Sequence, residues 1–446
     1  MSVKPTQKHT QCHLLYPDLI NQVNPNNPLC LLAKVIPWDS LEKEFLPLYS
    51  KTGRPAKPIR LMIGLLLLKQ IENLSDERVV EAWVQNPYYQ SFCGIQHFQW
   101  AMPCDPSELV HFRKRIEDKG VSKILKVSIE LHGKNALEKD VVIDTTVQEK
   151  NITFPTDTKL REKVINKLWD IASEENITLR RSYKRELKKL RNTIRFSKSK
   201  VNKAIRRVQT IANALLRDVQ RKLSENAKEK FKNDLETYGK VINQKREDKN
   251  KIYSLHEQKV VCIGKGKAHK KYEFGSKSAV AMTKNSCIIV GVQSFPDNRH
   301  DSKTLSDLLS QVTLNQGNAP QMAFCDRGFR GIKKVGETNI CIPTASSTDA
   351  TAYEKRKARN NFRRRSAIEP VIGHLKSDFR LTRNYLKGVM GDTINLILAA
   401  AAFNFKKWMK GTVSDIIFYL ISVLAFLKSF WTVHHRLTFN MQKCRS

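Results

Sequence analysis

Lys139-Asp-Val-Val-Ile-Asp-Thr-Thr146 carries an unbroken apolar triplet, Val141, Val142 and Ile143, straight into an acid, Asp144. An apolar run without alternation reads as a strand buried on both faces, the kind found in sheets covered on both sides. An acid at the end of such a strand is costly unless a cation or a metal ion meets it. A second stretch of the same build lies 182 positions further on, where Gln321-Met-Ala-Phe-Cys325 runs into Asp326. Set as neighbours in one sheet, these strands bring both carboxylates out at the same edge.

Working outward, Tyr272 to Met282 and Ser286 to Phe295 read as two strands joined by a Lys284-Asn285 turn. Asp301 to Val312 reads as a helix capped by Asp301, Ile340 to Pro343 as a short strand, and Tyr353 to Phe379 as a helix interrupted near Pro370. Between Pro155 and Gly239 there is neither Pro nor Gly. Leu187, Leu190, Ile194, Val201, Ile205, Val208, Leu215 and Leu223 recur there at helical steps, predicting a long helical hairpin or coiled-coil-like stretch.

The expected order is strand, inserted helices, two strands, helix, strand, helix, strand, helix. The first 135 residues read as helical. Ser75 is an N-cap with Val79, Val80, Trp83 and Val84 turned inward. Asp105, Pro106 and Glu108 form the start of another helix with a capping box, and that helix presents His111, Arg113, Lys114 and Arg115 to solvent. Two readings stand for this region: a helix-turn-helix reader of DNA and a plain helical packing domain. The predicted layout is therefore a helical domain over 1–135, an α/β domain over 136–410 with a helical insertion at about 156–255, and an apolar helix and tail over 411–446.

Charge narrows the partners. The chain of 446 residues holds 78 Lys and Arg against 43 Asp and Glu, a net +35, with 41% hydrophobic residues. A globular protein this basic suits a polyanion, duplex DNA or RNA above all. Residues 180–230 alone hold 18 Lys or Arg and 4 acids. A charged run is often only a solvated face, but an excess of one sign this large favours an arm that contacts phosphates.

Nine cysteines stand singly with no Cys-x-x-Cys pair, which points to reduced thiols and a cytoplasmic setting rather than disulfides or zinc. Residues 1–20 lack a signal-type apolar core. The longest apolar run, Ile416 to Leu427, is 12 residues, too short to span a bilayer, so no membrane partner is expected. No Gly-x4-Gly-Lys-Ser/Thr loop, His-Glu-x-x-His or serine nucleophile elbow is present.

A third acid completes a constellation. Glu369 lies 43 residues after Asp326 on a predicted helix, within Phe362-x2-Arg365-x3-Glu369-x6-Lys376. Arg365 and Glu369, four apart, share a helix face, and Lys376 follows two turns later on nearly the same side. Three hard oxygen donors at one edge suit Mg²⁺ or Mn²⁺. Two such ions, about 3.5–4 Å apart, can activate a water or sugar hydroxyl and stabilise the leaving oxygen of a phosphodiester.

This spacing resembles the Tyr-x2-Arg-x3-Glu-x6-Lys signature of insertion-sequence transposases of the broad IS4 and IS5 kind, with Phe362 where the Tyr usually stands. Further stretches are similar to IS5-type transposases in the family's order. They include Arg60-Leu-Met-Ile-Gly-Leu65, Trp83-Val-Gln-Asn-Pro-Tyr88, Phe112-Arg-Lys-Arg115, Ile143-Asp-Thr-Thr146, Lys271-Tyr-Glu-Phe-Gly275, Asp326-Arg-Gly-Phe-Arg-Gly331 and Arg383-Asn-Tyr-Leu-Lys-Gly388. The likeness runs from about Arg54 to Trp408.

The resemblance implies an RNase H-like mixed-sheet core carrying a helical insertion, with Asp144, Asp326 and Glu369 as the DDE triad holding two metal ions. It also implies Arg365 and Lys376 as contacts to the transposon end. Arg327, next to Asp326, joins the expected DNA contacts, with Arg113, Lys114 and Arg115 from the N-terminal helices. Lys265 and Lys267 enter on charge and position alone. The expected partners are terminal inverted repeats, target DNA and a second copy of the chain. The alternatives are an RNase H-like nuclease that stops at hydrolysis and a catalytically inactive DNA-binding relative.

Overall fold

The computed structural model describes residues 17–412, apart from 51, 198, 246, 265–269 and 344–350. Lys265, Lys267 and the apolar tail therefore lie outside the described residues. Seven short and long helices open the chain: α1 (Leu19–Gln22), α2 (Pro28–Val35), α3 (Trp38–Phe45), α4 (Ile59–Ile71), α5 (Asp76–Gln85), α6 (Pro87–Phe92) and α7 (Pro106–Glu130, broken at Glu117). Every residue of α4 except Arg60 is buried, so this helix sits at the centre of the others, as a helix apolar on all sides must.

Ser75 caps α5 by accepting from the Arg78 amide, and Val79, Val80 and Trp83 are buried as their spacing predicts. Asp105 caps α7 through the Ser107 amide, but Glu108 does not close a capping box; one Glu108 carboxylate oxygen is buried without a partner. Arg113 is a second departure. It is buried, and its guanidinium donates to both carboxylate oxygens of Asp76 at 2.8 and 2.6 Å, while Lys69 binds the same acid at 2.8 Å. Its charge serves the interior and not a solvent-facing surface. Burial alone raises the Asp76 carboxyl, but Arg113 and Lys69 outweigh it and hold it at about 2.

The sheet contains β1 (Asp140–Glu149), β2 (Val261–Gly264), β3 (Tyr272–Thr283), β4 (Ile289–Phe295), β5 (Met322–Phe324), β6 (Lys334–Val335) and β7 (Thr338–Cys341). Its order is β2-β3-β1-β5-β7-β6, with β4 also paired to β3. β1 runs antiparallel to β3 and parallel to β5, and β5 runs parallel to β7. This mixed sheet, with three parallel strands (β1, β5 and β7) beside the antiparallel strands β2, β3 and β4, is RNase H-like. Asp144 lies within β1 and not at its end. The strand continues through the mostly polar stretch Thr145 to Glu149 because β3 pairs with it from Val141 to Glu149.

Between β1 and β2 the chain builds four helices, α8 (Asp157–Glu174), α9 (Lys184–Phe196), α10 (Val201–Lys222) and α11 (Glu225–Asn243). They enclose their own apolar core, including Leu168, Leu187, Val208, Leu215 and Tyr238, separate from that of the sheet. The expected hairpin is thus a four-helix unit. The break between α10 and α11 needs no Pro or Gly, since Ser224 caps α11 through the Ala227 amide.

After β4 come a 3₁₀ turn (Asp301–Thr304) and α12 (Leu305–Gln316), and after β7 come α13 (Ala352–Arg365) and α14 (Ile368–Ser377). The interruption in the last pair falls at Ser366-Ala367, and Pro370 sits in the first turn of α14, where its missing amide hydrogen costs nothing. The last described helix, α15 (Gly388–Thr412), is long and apolar enough to cross a membrane by length and composition. In its most apolar stretch 72% is buried inside the fold, as in a core helix.

Its polar residues close a network behind the sheet. Lys150, buried, meets Asp392 at 2.8 Å and Glu257 at 3.4 Å. Gln148 joins Asp392 and Asn395, and Gln70 of α4 donates to the Phe379 carbonyl and to Asn395. One apolar core runs from Leu32 through α4 and β1 to Phe405. The described helices before β1 share this core with the sheet.

Candidate active site

The parallel register pairs Val142 with Phe324. Two residues further, Asp144 is still on β1 while Asp326 has just left β5, so the register carried past the pairing sets the two acids side by side at the end of the sheet where β5 stops. Asp144 accepts the Thr145 amide at 2.7 Å. Asp326 caps a 3₁₀ turn (Arg327–Phe329) by accepting the Gly328 amide at 2.8 Å, and the buried Phe329 anchors that turn. Burial pushes the Cys325 thiol up, and the negative charges of Asp326 and Asp144 push it further while Arg365 opposes them. All three charged groups therefore gather around one buried residue.

Helix α14 packs on β1 and brings the third acid over. Arg365 lies between Asp144, 4.0 Å from Nη1, and Glu369, 3.3 Å from Nη2. Its side chain is only 16% exposed, and Nη1 is buried without a hydrogen-bond partner. Glu369, 64% exposed, otherwise faces solvent. Among the described residues no three His, Cys, Asp or Glu side chains stand at metal-binding distance from one another. The donor set nevertheless fits a hard divalent cation: two aspartates abreast and a glutamate on the next helix, with a guanidinium lying between two of them.

The other expected site residues divide. Phe362 packs edge-on against Phe324, with ring centroids 6.3 Å apart, so this aromatic supports β5 from below. Lys376 sits to one side, 3.8 Å from Glu273 on β3. Arg327 and Lys114 are exposed. Arg115 is half-buried, its guanidinium 4.3 Å from the centre of the Tyr49 ring. Arg113 is committed to Asp76, as described above.

Asp301 is placed otherwise than its cap reading predicts. His300 takes the cap, accepting from Ser302. The Asp301 carboxylate accepts instead from Thr145 Oγ1 and Lys277 Nζ, both at 2.9 Å. A Cβ on Gly328 would stand 2.7 Å from Asp301 Oδ2 and 2.9 Å from Asp326 Oδ1, so a fourth acid borders the Asp326 turn. Sequence reasoning read this residue as a helix cap. The available signal was the run Arg299-His300-Asp301 opposite a lysine in the middle of an apolar strand. Glu273 was missed: it is buried, with one oxygen unpaired, and holds Lys376 and Lys270 within 4 Å.

An RNase H-like sheet with two aspartates abreast at this edge defines the class of scaffold, and the comparisons define the family. Residues 17–115 match the family described as "Transposase domain (DUF772)", and residues 239–405 match that described as "Transposase DDE domain". Over 194 residues the chain is 41% identical to the "Uncharacterized protein ORF8 in nfe locus" of Rhizobium meliloti, covering 42% of this chain and 93% of that protein. No solved structure matches. The chain belongs to the insertion-sequence transposases with a DDE domain.

Proposed function

We propose that the chain is an IS5-type, cut-and-paste DNA transposase: it binds the terminal inverted repeats of its own element, hydrolyses a strand to free a 3′-hydroxyl, and directs that hydroxyl onto target DNA. The observation that carries this reading is Asp144 on β1 and Asp326 just past the end of the parallel β5, with Arg365 at the end of α13 and Glu369 in the first turn of α14 beside them. Asp144, Asp326 and Glu369 are the residues that would hold two Mg²⁺ or Mn²⁺ ions, whose chemistry is to activate the attacking oxygen and stabilise the leaving one. Arg365, between Asp144 and Glu369, is well placed to clamp a phosphate by a planar fork. Lys376, held by Glu273, and exposed Arg327 lie on the DNA path beside it.

The basic insertion supplies phosphate contacts away from the chemistry. Lys188, Lys189 and Arg195 on α9 and Arg206 and Arg217 on α10 are exposed around a core that does not need them. Lys114 and Arg115 extend the same role to the N-terminal helices. The working form is a cytoplasmic homodimer, because two ends must be paired before transfer.

A strand-transfer assay with labelled element ends and Mg²⁺ tests the proposal. Cleavage followed by joining is the expected result. Cleavage without joining would reduce the chain to a nuclease, and binding without cleavage to an inactive relative.

A further inference from the structure

Helix α13 contradicts the usual economy of a surface helix. None of its described side chains is completely buried, whereas an amphipathic helix draws most of its stability from one buried face. Its sequence, Ala-Tyr-Glu-Lys-Arg-Lys-Ala-Arg-Asn-Asn-Phe-Arg-Arg-Arg365, holds seven cations and a single acid, Glu354. That acid is spent in the capping box with Thr351. Like charges three and four residues apart repel on a helix, so this element carries an uncompensated positive stripe.

One side of α13 is fixed. Phe362 rests on Phe324, Asn361 accepts from Lys284 at 3.0 Å, and Arg364 donates to the Lys284 and Asn285 carbonyls at 3.1 and 2.5 Å. The opposite side presents Arg356, Arg359, Asn360 and Arg363, spaced i, i+3, i+4 and i+7 and all exposed. Among the described residues none of the three arginines is paired with an acid. The stripe spans about 10 Å along the helix, roughly three base pairs of duplex. Its C-terminal end leads within one turn to Arg365, beside Asp144.

We infer that this face of α13 is a duplex-DNA docking ridge that lies along the base pairs next to the scissile phosphate. Arginine is the residue that forks onto phosphate or guanine, and asparagine the one that pairs two-pronged with adenine, so a stripe of three arginines and one asparagine is suited to both holding and reading. Fixed to β5 through Phe362, the ridge sets the register of the duplex relative to the acids. The inference rests on the DNA-cleaving role proposed above and adds a surface to it.

The test uses the full chain, a duplex of about 40 base pairs copied from the DNA bordering the coding sequence, and a scrambled duplex of equal length. Affinity is measured against salt concentration for the wild type, for R356A/R359A/R363A and for R356K/R359K/R363K. Losing three phosphate contacts lowers the slope of log affinity against log salt by about 2–3 units, and the lysine variant restores it. Because Arg356, Arg359 and Arg363 are exposed, the alanine variant is expected to melt with the wild type. Hydroxyl-radical footprinting should show lost protection next to the cleavage junction and retained protection elsewhere.

An unchanged slope and footprint in the alanine variant would overturn the ridge while leaving the transposase reading intact. A wild type that binds both duplexes equally would instead count against recognition of element ends. The salt slope on either duplex would still decide the ridge, since phosphate contacts do not depend on sequence.

Discussion

The smallest feature with a large consequence is Gly328. Its α-carbon faces two carboxylates, and any side chain there meets Asp301 and Asp326 at under 3 Å. Gly328→Ala is therefore expected to displace the turn that carries Asp326 and to lower single-turnover cleavage at least about tenfold, since small misplacements at a reacting centre are costly. DNA affinity should stay near wild type; a variant that cleaves normally would show that the Asp301–Asp326 approach does not matter. Sequence reading singles out Asp326 and Glu369 because each sits in a distinctive local run. It read Asp301 as a helix cap and Arg113 as solvent-facing for one reason: the partners that decide them, Lys277, Thr145 and Asp76, are distant in sequence. Whether a charge is buried is settled by what folds against it, which no local pattern records.

Among the elements, the junction of α4, α5 and α7 has a measurable pH signature. Asp76 has its carboxyl depressed to about 2 in the folded chain, below its unfolded value. Its contribution is thus complete above the unfolded pKa of about 4 and is lost as pH falls through about 2. Asp76→Ala leaves Arg113 and Lys69 as buried unpaired charges and should cost about 3–5 kcal/mol in chemical denaturation at neutral pH, with acid sensitivity reduced. A loss under 1 kcal/mol would mean that solvent reaches the pair.

The insertion makes a second prediction. Replacing the exposed Lys and Arg of α9 and α10 by Ser should flatten the salt dependence of DNA binding without unfolding the four-helix core, and an unchanged slope would make the insertion purely structural. Elements were legible where their signals are local: the Ser75 cap, the Val141–Ile143 run and the helical steps of α10. The four-helix arrangement was not, because periodicity reports a buried face and is silent on how many partners cover it.

For the whole molecule, the sheet, the N-terminal helices and α15 share one apolar core, so they should unfold together. The insertion, with its own core, is free to melt separately. Pairing of two element ends predicts a complex with two protein copies by light scattering in the presence of end duplex, and a one-copy complex competent for joining would contradict that.

The central claim is that Asp144 on β1 and Asp326, just past the end of β5, act as one site. Its most direct test is cleavage of a labelled element-end duplex in Mg²⁺ by the wild type, Asp144→Asn and Asp326→Asn, each assayed for end binding in parallel. Loss of cleavage by a factor of about a thousand or more in either variant, with end binding retained, is the predicted result. Cleavage at near wild-type rate by either variant would contradict the account.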